Sequence, residues 1–235
     1  MDKDFSTFEK KTKITFKDKN LLTQAFVHRS YINENPKLGL SHNERLEFLG
    51  DAVLELAVTN YLFNKYKNKT EGELTAFRSA LVNSVILADT ARELGMGDYL
   101  LLSKGESKDM GRARQYILAN TFEAFTGAIY MDQGYEAAEK FIASAIYDKI
   151  DAIVSKGLWK DAKSLVQEKA QEQTGVTPEY KVISEVGLDH EKSFVVGIYF
   201  DKEKIAEGKG GSKQDAEQKA AEKALELKKW RKNAS

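Results

Sequence analysis

The sequence contains no cysteine, which excludes disulfide bonds, thiolate catalysis and zinc sites with thiolate ligands. It contains no apolar run near the roughly 20 residues of a membrane-spanning helix, and its first residues lack the features of a signal peptide. Neither sign of charge is in excess, because 36 basic residues balance 36 acidic ones. Composition alone therefore does not indicate a nucleic-acid-binding protein. We predict a cytoplasmic protein that does not associate with membranes.

What the sequence does contain falls into two regions with different patterns. With 235 residues, of which 42% are hydrophobic, the chain can form one large domain or a medium domain and a small one. Up to about residue 154, apolar residues recur at intervals of three and four, as in helices that bury one face. The runs with this spacing span residues 21–26, 46–63, 74–94 and 117–131. This region is predicted to be all-helical, with a capping box of Thr70 and Glu73 at the start of the third run.

The pattern changes after about residue 158. A helix predicted over residues 161–174 is followed by strand-like runs at 180–183, 193–200 and 204–206, and then by an alanine-rich helix. An α-β-β-β-α order of about 70 residues can form a small sheet with helices on one face. We therefore predict a multidomain chain, with an all-α domain over residues 1–157 and a small α+β domain over residues 158–235.

Three carboxylates lie close together near the start of the second helical run. Glu44, Glu47 and Asp51 occur at i, i+3 and i+7, which places them on one face of an α-helix. Like charges at this spacing destabilise a helix by roughly 0.2–0.5 kcal/mol per pair, and a bound cation would relieve the repulsion. A solvated acidic face is the competing interpretation. Gly50 weakens it, because a helix-interior glycine costs about 1 kcal/mol and indicates close backbone packing.

Oxygen ligands elsewhere in the first region complete a candidate cation site. Glu71 lies in the first turn of a predicted helix, and Asn120 and Glu123 share a helix face at i and i+3. Donors that are all oxygen favour a hard cation such as Mg²⁺ over zinc. Mg²⁺ held by carboxylates commonly serves phosphate chemistry, because it polarises a phosphoryl oxygen and generates hydroxide from bound water.

The segment HNERLEFLGDAVL, residues 42–54, resembles the signature of the ribonuclease III family. The resemblance continues over residues 25–31, 71–83 and 122–130 and covers nearly the whole chain. It implies an all-helical endonuclease domain that forms a homodimer and hydrolyses double-stranded RNA with Mg²⁺, or with Mn²⁺ as a substitute. The implied products have 5′-phosphate and 3′-hydroxyl ends with two-nucleotide 3′ overhangs. The implied role is the processing of ribosomal RNA, messenger RNA and other RNAs.

By this resemblance, Asp51 and Glu123 are catalytic acids that also bind metal, together with Glu47 and Asn120. The family usually has aspartate where this chain has Asn120, whose amide oxygen can coordinate a cation but brings no charge and cannot act as a base. We therefore predict weaker Mg²⁺ binding than aspartate would give. Asn120 also supports the alternative function, a catalytically degenerate member that acts as a double-stranded-RNA-binding or ribosome-associated structural protein.

Three further residues match family positions around the same site. Glu44 and Glu71 match acids that line the cleft. Phe48 matches a residue that inserts into a socket on the partner subunit, and its competing interpretation is ordinary core packing. Both interpretations of Phe48 predict a buried side chain.

Polar side chains on the first helix of the second region suggest a surface for duplex RNA. They repeat at i, i+3, i+4 and i+7 and suit ribose 2′-hydroxyls in a shallow minor groove: Ser164, Gln167, Glu168 and Gln171. A solvated helix face is the competing interpretation. At the last helix, Ser212 is expected to be the cap, with Asp215 at the capping-box position. The helix start, together with Lys213, suits a phosphate.

The second region resembles a double-stranded RNA-binding domain, most clearly over residues 208–221. This resemblance implies that His190 contacts the minor groove and that Lys219 assists Lys213 at the phosphates. Leu188 replaces the usual proline in the loop that carries His190. Gln214 stands where a second adjacent lysine is common, which predicts a weaker phosphate contact.

Overall fold

The computed structural model of the chain describes residues 3–108, 111–155, 157, 159, 161–187 and 192–230. Contacts divide the chain into two compact units, Met1–Val154 and Ser155–Ser235. We keep the boundary between residues 157 and 158 as a proposal. No helix among the described residues is long and apolar enough to cross a membrane.

The described part of the first unit is helical, apart from loops and short 3₁₀ turns. Its helices are α1 (Ser6–Thr12), α2 (Lys19–Ala25), α3 (Arg29–Glu34), α4 (Glu44–Lys65), α5 (Glu71–Leu81), α6 (Ser84–Leu94), α7 (Arg112–Gln133), α8 (Tyr135–Ile146) and α9 (Lys149–Ser155). The predicted all-α class of this domain is confirmed.

Helix α7 is the centre of the first unit. Its buried residues include Phe122, Phe125 and Ile129 and cover most of its circumference, as expected of a helix packed on several sides. Helices α2, α4, α6 and α8 pack against it. The ring of Phe125 has four aromatic neighbours at centroid distances of 5.1–6.0 Å. This packing holds in place the helix that carries Asn120 and Glu123.

Side-chain caps set the ends of α5 and α6. The capping box predicted for Thr70 and Glu73 is confirmed, with hydrogen bonds of 3.0 and 3.3 Å. The single apolar run over residues 74–94, however, forms two helices. Asn83 adopts an extended conformation, and its side-chain oxygen accepts hydrogen bonds from the amides of Val85 and Ile86 at 3.1 Å. An asparagine cap competes with helix continuation, and the apolar periodicity did not reveal this break.

The second unit is a three-stranded sheet with two helices. Its elements are α10 (Ala162–Thr174), β1 (Glu179–Val186), β2 (Ser193–Phe200), β3 (Glu203–Gly210) and α11 (Lys213–Leu227). The strands are antiparallel in the order β1-β2-β3. Helices and sheet share an apolar core, which includes Val166, Ile198 and Ala220. The predicted α-β-β-β-α class is confirmed.

Glycines near the end of β3 allow α11 to pack close to the sheet. A Cβ atom on Gly208 would lie 2.3 Å from the carbonyl oxygen of Ala216, and one on Gly210 would lie 2.5 Å from the amide of Ala216. Neither distance is compatible with a side chain. The third strand, Glu203–Gly210, extends beyond the predicted residues 204–206, and these two glycines belong to it rather than to a loop.

Candidate active site and RNA-binding surface

Helices α4 and α7 cross in backbone contact at two glycines. A Cβ atom on Gly50 would lie 1.8 Å from the carbonyl oxygen of Glu123, and one on Gly127 would lie 2.2 Å from the carbonyl oxygen of Leu46. Both distances are far below van der Waals contact. The close packing predicted from Gly50 is therefore confirmed, and it brings the acids of α4 beside those of α7.

Four of the predicted metal and catalytic residues meet at this crossing. Burial, followed by the charges of Asp51 and Glu47, raises the pKa of Glu123 to about 8. The pKa of Glu47 is also raised, first by burial and then by the charge of Glu44. A hydrogen bond from the Asn120 amide opposes that increase. The carboxylates therefore repel one another in a half-buried site.

Glu44 lies at the outer edge of this group. Its carboxylate is 3.3 Å from the guanidinium of Arg29 and 3.7 Å from Nδ1 of His42. Its charge contributes to the raised pKa of Glu47, which places it beside the other acids. The structure thus brings Glu44, Glu47, Asp51, Asn120 and Glu123 together.

Glu71 is not part of this group within one chain. It lies at the start of α5, in a surface groove whose other lining residues include Phe63, Leu74 and Arg78. Phe63 follows Asp51 by 12 residues on α4, which corresponds to about 18 Å along the helix. A single subunit therefore leaves Glu71 away from the cleft to which its family position assigns it.

The donor atoms of the acidic group suit Mg²⁺. All are carboxylate or amide oxygens, and the raised pKa values of Glu47 and Glu123 show that burial and neighbouring carboxylates disfavour their charged forms, a penalty that a bound cation would relieve. Among the described residues, no three acidic, histidine or cysteine side chains are already close enough to hold one ion. The donor atoms fit the metal in their chemistry, and binding requires the side chains to move closer together.

The predicted RNA-contacting stripe is exposed on α10. It lines a shallow groove on the surface of the second unit and comprises Ser164, Gln167, Glu168 and Gln171. The hydroxyl of Ser164 donates a hydrogen bond of 2.9 Å to Asp161, the cap of α10. Ser164 therefore retains its oxygen lone pairs as acceptors for RNA.

The start of α11 partly follows the prediction. Ser212 caps the helix by accepting a hydrogen bond from the amide of Asp215 at 3.1 Å, and Lys213 is exposed. Lys219 forms an ion pair, in which its ammonium lies 2.9 Å from the carboxylate of Asp215. His190 lies outside the described residues.

Sequence profiles of two known families match the two units. The profile of ribonuclease-III-like proteins matches residues 18–150, and that of the double-stranded RNA binding motif matches residues 162–228. The first match alone covers more than half of the chain. The chain belongs to the ribonuclease III family.

Individual ribonuclease III relatives match nearly the whole chain. Ribonuclease 3 of Enterococcus faecalis is 48% identical over 215 residues, which cover 90% of this chain and 92% of the relative. Ribonuclease 3 of Borreliella burgdorferi is 44% identical over 220 residues, which cover 94% and 89%. The nuclease domain of ribonuclease III from Campylobacter jejuni, a solved structure, has 40% identity and a TM-score of 0.54. It covers 60% of this chain, and 98% of its own length is matched.

Membership of the ribonuclease III family makes this chain an endoribonuclease for double-stranded RNA. The second unit, with its double-stranded RNA binding motif, provides a domain that binds the duplex.

The side chain of Phe48 was predicted to be buried, but 81% of this residue is exposed in the single chain. Its competing interpretation as a core residue is therefore wrong.

Sequence reasoning missed two features of this ribonuclease III. Gly127 is the counterpart of Gly50 at the helix crossing, and a second glycine within a helical pattern carries the same signal. Lys163 of α10 and Glu217 of α11 form an ion pair of 2.6 Å between the two helices. No local pattern indicates a pair separated by 54 positions.

Proposed function

We propose that this protein hydrolyses double-stranded RNA with Mg²⁺, or with Mn²⁺ as a substitute, and leaves 5′-phosphate and 3′-hydroxyl ends with 3′ overhangs. The observation that carries the proposal is the meeting of Glu47, Asp51, Asn120 and Glu123 at the crossing of α4 and α7. Asp51 and Glu123 are the proposed catalytic acids, and all four residues are proposed metal ligands.

The chemistry that Mg²⁺ supplies when bound is polarisation of the phosphoryl oxygen and activation of a water molecule. The protein's own contribution is a set of carboxylates held by two rigid helices. The Asn120 amide orients Glu47 through its hydrogen bond. Attack of water at phosphorus breaks the bond to the 3′ oxygen, which takes up a proton, while the phosphate stays on the 5′ end of the other fragment.

A homodimer is the proposed functional unit. Helix α4 exposes an apolar stripe of Phe48, Leu56 and Phe63, whose exposed fractions are 81%, 58% and 68%. Exposed apolar surface of this kind indicates an interaction site rather than the surface of a monomer. In a twofold dimer, residues equally distant from the axis meet. With the axis near Leu56, Phe48 would enter the groove beside the partner subunit's Phe63.

This arrangement also accounts for Glu71, which lines the same groove as Phe63. When Phe48 of one subunit enters that groove, the partner's Glu71 approaches the end of α4 that carries Asp51. The cleft acids Glu44 and Glu71 would then come from different subunits. A dimer also has two clefts, which suits the cutting of both strands of one duplex into products with overhangs.

The proposed substrates are precursors of ribosomal RNA, messenger RNA and other RNAs, and we place the enzyme with them in the cytoplasm. The α10 stripe would contact a minor groove, and Lys213, assisted by Lys219, would contact phosphates. His190 is proposed to contact the minor groove on the family resemblance alone.

The decisive experiment incubates the full-length protein with an end-labelled RNA duplex in Mg²⁺, in Mn²⁺ and in EDTA. We expect cleavage with either metal and none in EDTA, products that carry phosphatase-sensitive 5′ ends, and little cleavage by the Glu123→Gln variant. Duplex binding without cleavage in either metal would contradict this proposal and favour the catalytically degenerate alternative.

A further inference from the structure

The proposed RNA-binding surface contains its own negative charge. Lys163 at the start of α10 and Glu217 on α11 form an ion pair with an Nζ to Oε2 distance of 2.6 Å. Lys163 directly precedes Ser164 in the proposed minor-groove stripe, and Glu217 follows Lys213 by one helical turn. The pair therefore lies between the two proposed RNA contacts, and any role of the pair in binding rests on the proposed function.

Lys163 is held firmly in this arrangement. Its side chain is only 35% exposed and that of Glu217 only 27%, so the pair is less screened than a typical surface pair. The ammonium of Lys163 also lies 5.0 Å from the ring centre of Tyr180. These two contacts orient Lys163 towards α11.

The other lysines of the surface differ in their pairing. Lys219 is bound to Asp215, whose carboxylate also accepts a hydrogen bond from the amide of Gly211 at 3.1 Å. Lys213 lies 5.8 Å above the ring of Phe194 and makes no ion pair with any residue that the structure describes. Of these three lysines, only Lys213 can meet a phosphate without first leaving a carboxylate.

The carboxylate of Glu217 lies within the electrostatic range of a phosphate at Lys213. One helical turn is about 5.4 Å, which is shorter than the Debye length of about 8 Å at physiological salt. A phosphate bound by Lys213 is therefore repelled by Glu217. Lys163 offsets part of this repulsion, but while its ammonium stays 2.6 Å from Glu217 it does not contact the phosphate itself.

We propose that Glu217 is a specificity-determining residue that limits the affinity of this protein for nucleic-acid phosphates. It repels the backbone directly and keeps Lys163 from reaching it. Binding then depends more on the hydrogen-bonding stripe of α10, which distinguishes ribose from deoxyribose, than on charge, which does not. The consequence is discrimination between duplex RNA and other polyanions.

The test measures binding of the full-length Glu217→Gln variant in EDTA, so that the RNA is not cut. The probes are a duplex RNA of about 20 base pairs, one of its single strands and a DNA duplex of the same sequence, at 50 and 200 mM salt. One added phosphate contact steepens the plot of log affinity against log salt by about one, so the gain at 50 mM should exceed that at 200 mM by about 3.5-fold. We expect roughly three- to tenfold tighter RNA binding at 50 mM and a larger relative gain for DNA.

Two controls separate the local effect from net charge. Glu222→Gln on the same helix removes the same charge about 140° away around the helix and should leave binding nearly unchanged. The double variant Lys163→Gln/Glu217→Gln should lose most of the gain, because the released lysine is absent. An equal gain in Glu222→Gln, or a gain that persists in the double variant, would overturn the assignment to this ion pair.

The result also distinguishes this inference from the proposed function. If the wild type shows no preference for duplex over single-stranded RNA, the proposed RNA-binding surface itself is wrong. If the wild type prefers duplex RNA and Lys213→Ala weakens binding, but Glu217→Gln and Glu217→Ala bind as the wild type does, only the role of Glu217 is refuted.

Discussion

The contact of α4 with α7 at Gly50 can be tested by adding a single methyl group. In Gly50→Ala the new Cβ would lie 1.8 Å from the carbonyl oxygen of Glu123 and 2.8 Å from the amide of Gly127. Both obstacles are backbone atoms inside a helix, so no side chain can rotate away. The helices must separate by about 1.5 Å to restore ordinary contact distances.

The size of the effect follows from two opposing contributions. Overpacking of a core costs about 1–3 kcal/mol and sometimes more, and a clash between two backbones belongs at or above the top of that range. Alanine stabilises a helix by about 1 kcal/mol relative to glycine, which offsets part of this cost. We therefore expect a net loss of at least about 2 kcal/mol, which lowers the midpoint of thermal unfolding by roughly 4–8 °C for a chain of this size.

The same separation moves Glu123 away from Asp51 and Glu47. A displacement of about 1 Å in a catalytic group can reduce the rate by about 100-fold, so cleavage should fall by that order even at saturating Mg²⁺. The assays are thermal unfolding in EDTA and initial rates of duplex cleavage. Gly72→Ala is the matched control, because a Cβ there meets nothing within 4 Å and should stabilise α5 by up to about 1 kcal/mol. If Gly50→Ala unfolds and cleaves as the wild type does, the crossing does not position the site.

Three other substitutions test the acidic site and the dimer. Asn120→Asp adds a charged ligand and should lower the Mg²⁺ concentration for half-maximal cleavage by about tenfold; an unchanged titration would refute the predicted weakness of Asn120. Phe48→Ala should weaken dimerisation by about 30-fold, equivalent to about 2 kcal/mol, as measured by sedimentation, and a wild type that stays monomeric at every concentration would contradict the dimer. Glu123 has a pKa near 8 in the folded chain, against about 4.3 when unfolded, so the folded state binds more protons and loses stability as pH rises between these values. In EDTA, the free energy of unfolding of Glu123→Gln, relative to that of the wild type, should therefore increase by about 2–4 kcal/mol as pH rises from 5 to 8. A difference in unfolding free energy that does not change with pH would argue against the buried acid.

Local patterns predicted the features that depend on neighbouring residues. Helical periodicity placed Glu44, Glu47 and Asp51 on one face, because a helix repeats every 3.6 residues wherever it lies in a fold. The capping box of Thr70 and Glu73 could also be predicted, since both partners lie within one turn. The break at Asn83 could not be predicted from apolar spacing, because that spacing continues across it. There the asparagine side chain accepts hydrogen bonds from the first amides of the next helix.

The sequence by itself determined the family and the two structural classes, and it singled out the acids that we propose for the site, because a long motif and short-range periodicity carry that information. Only the tertiary structure decided that Gly127 faces Gly50, that Glu71 lies apart from Asp51 in one chain, and that Phe48 is exposed. It also decided that Glu217 holds Lys163, 54 positions away. Each of these depends on how two helices approach each other. That approach is set by the packing of many side chains at once, which no single stretch of sequence contains.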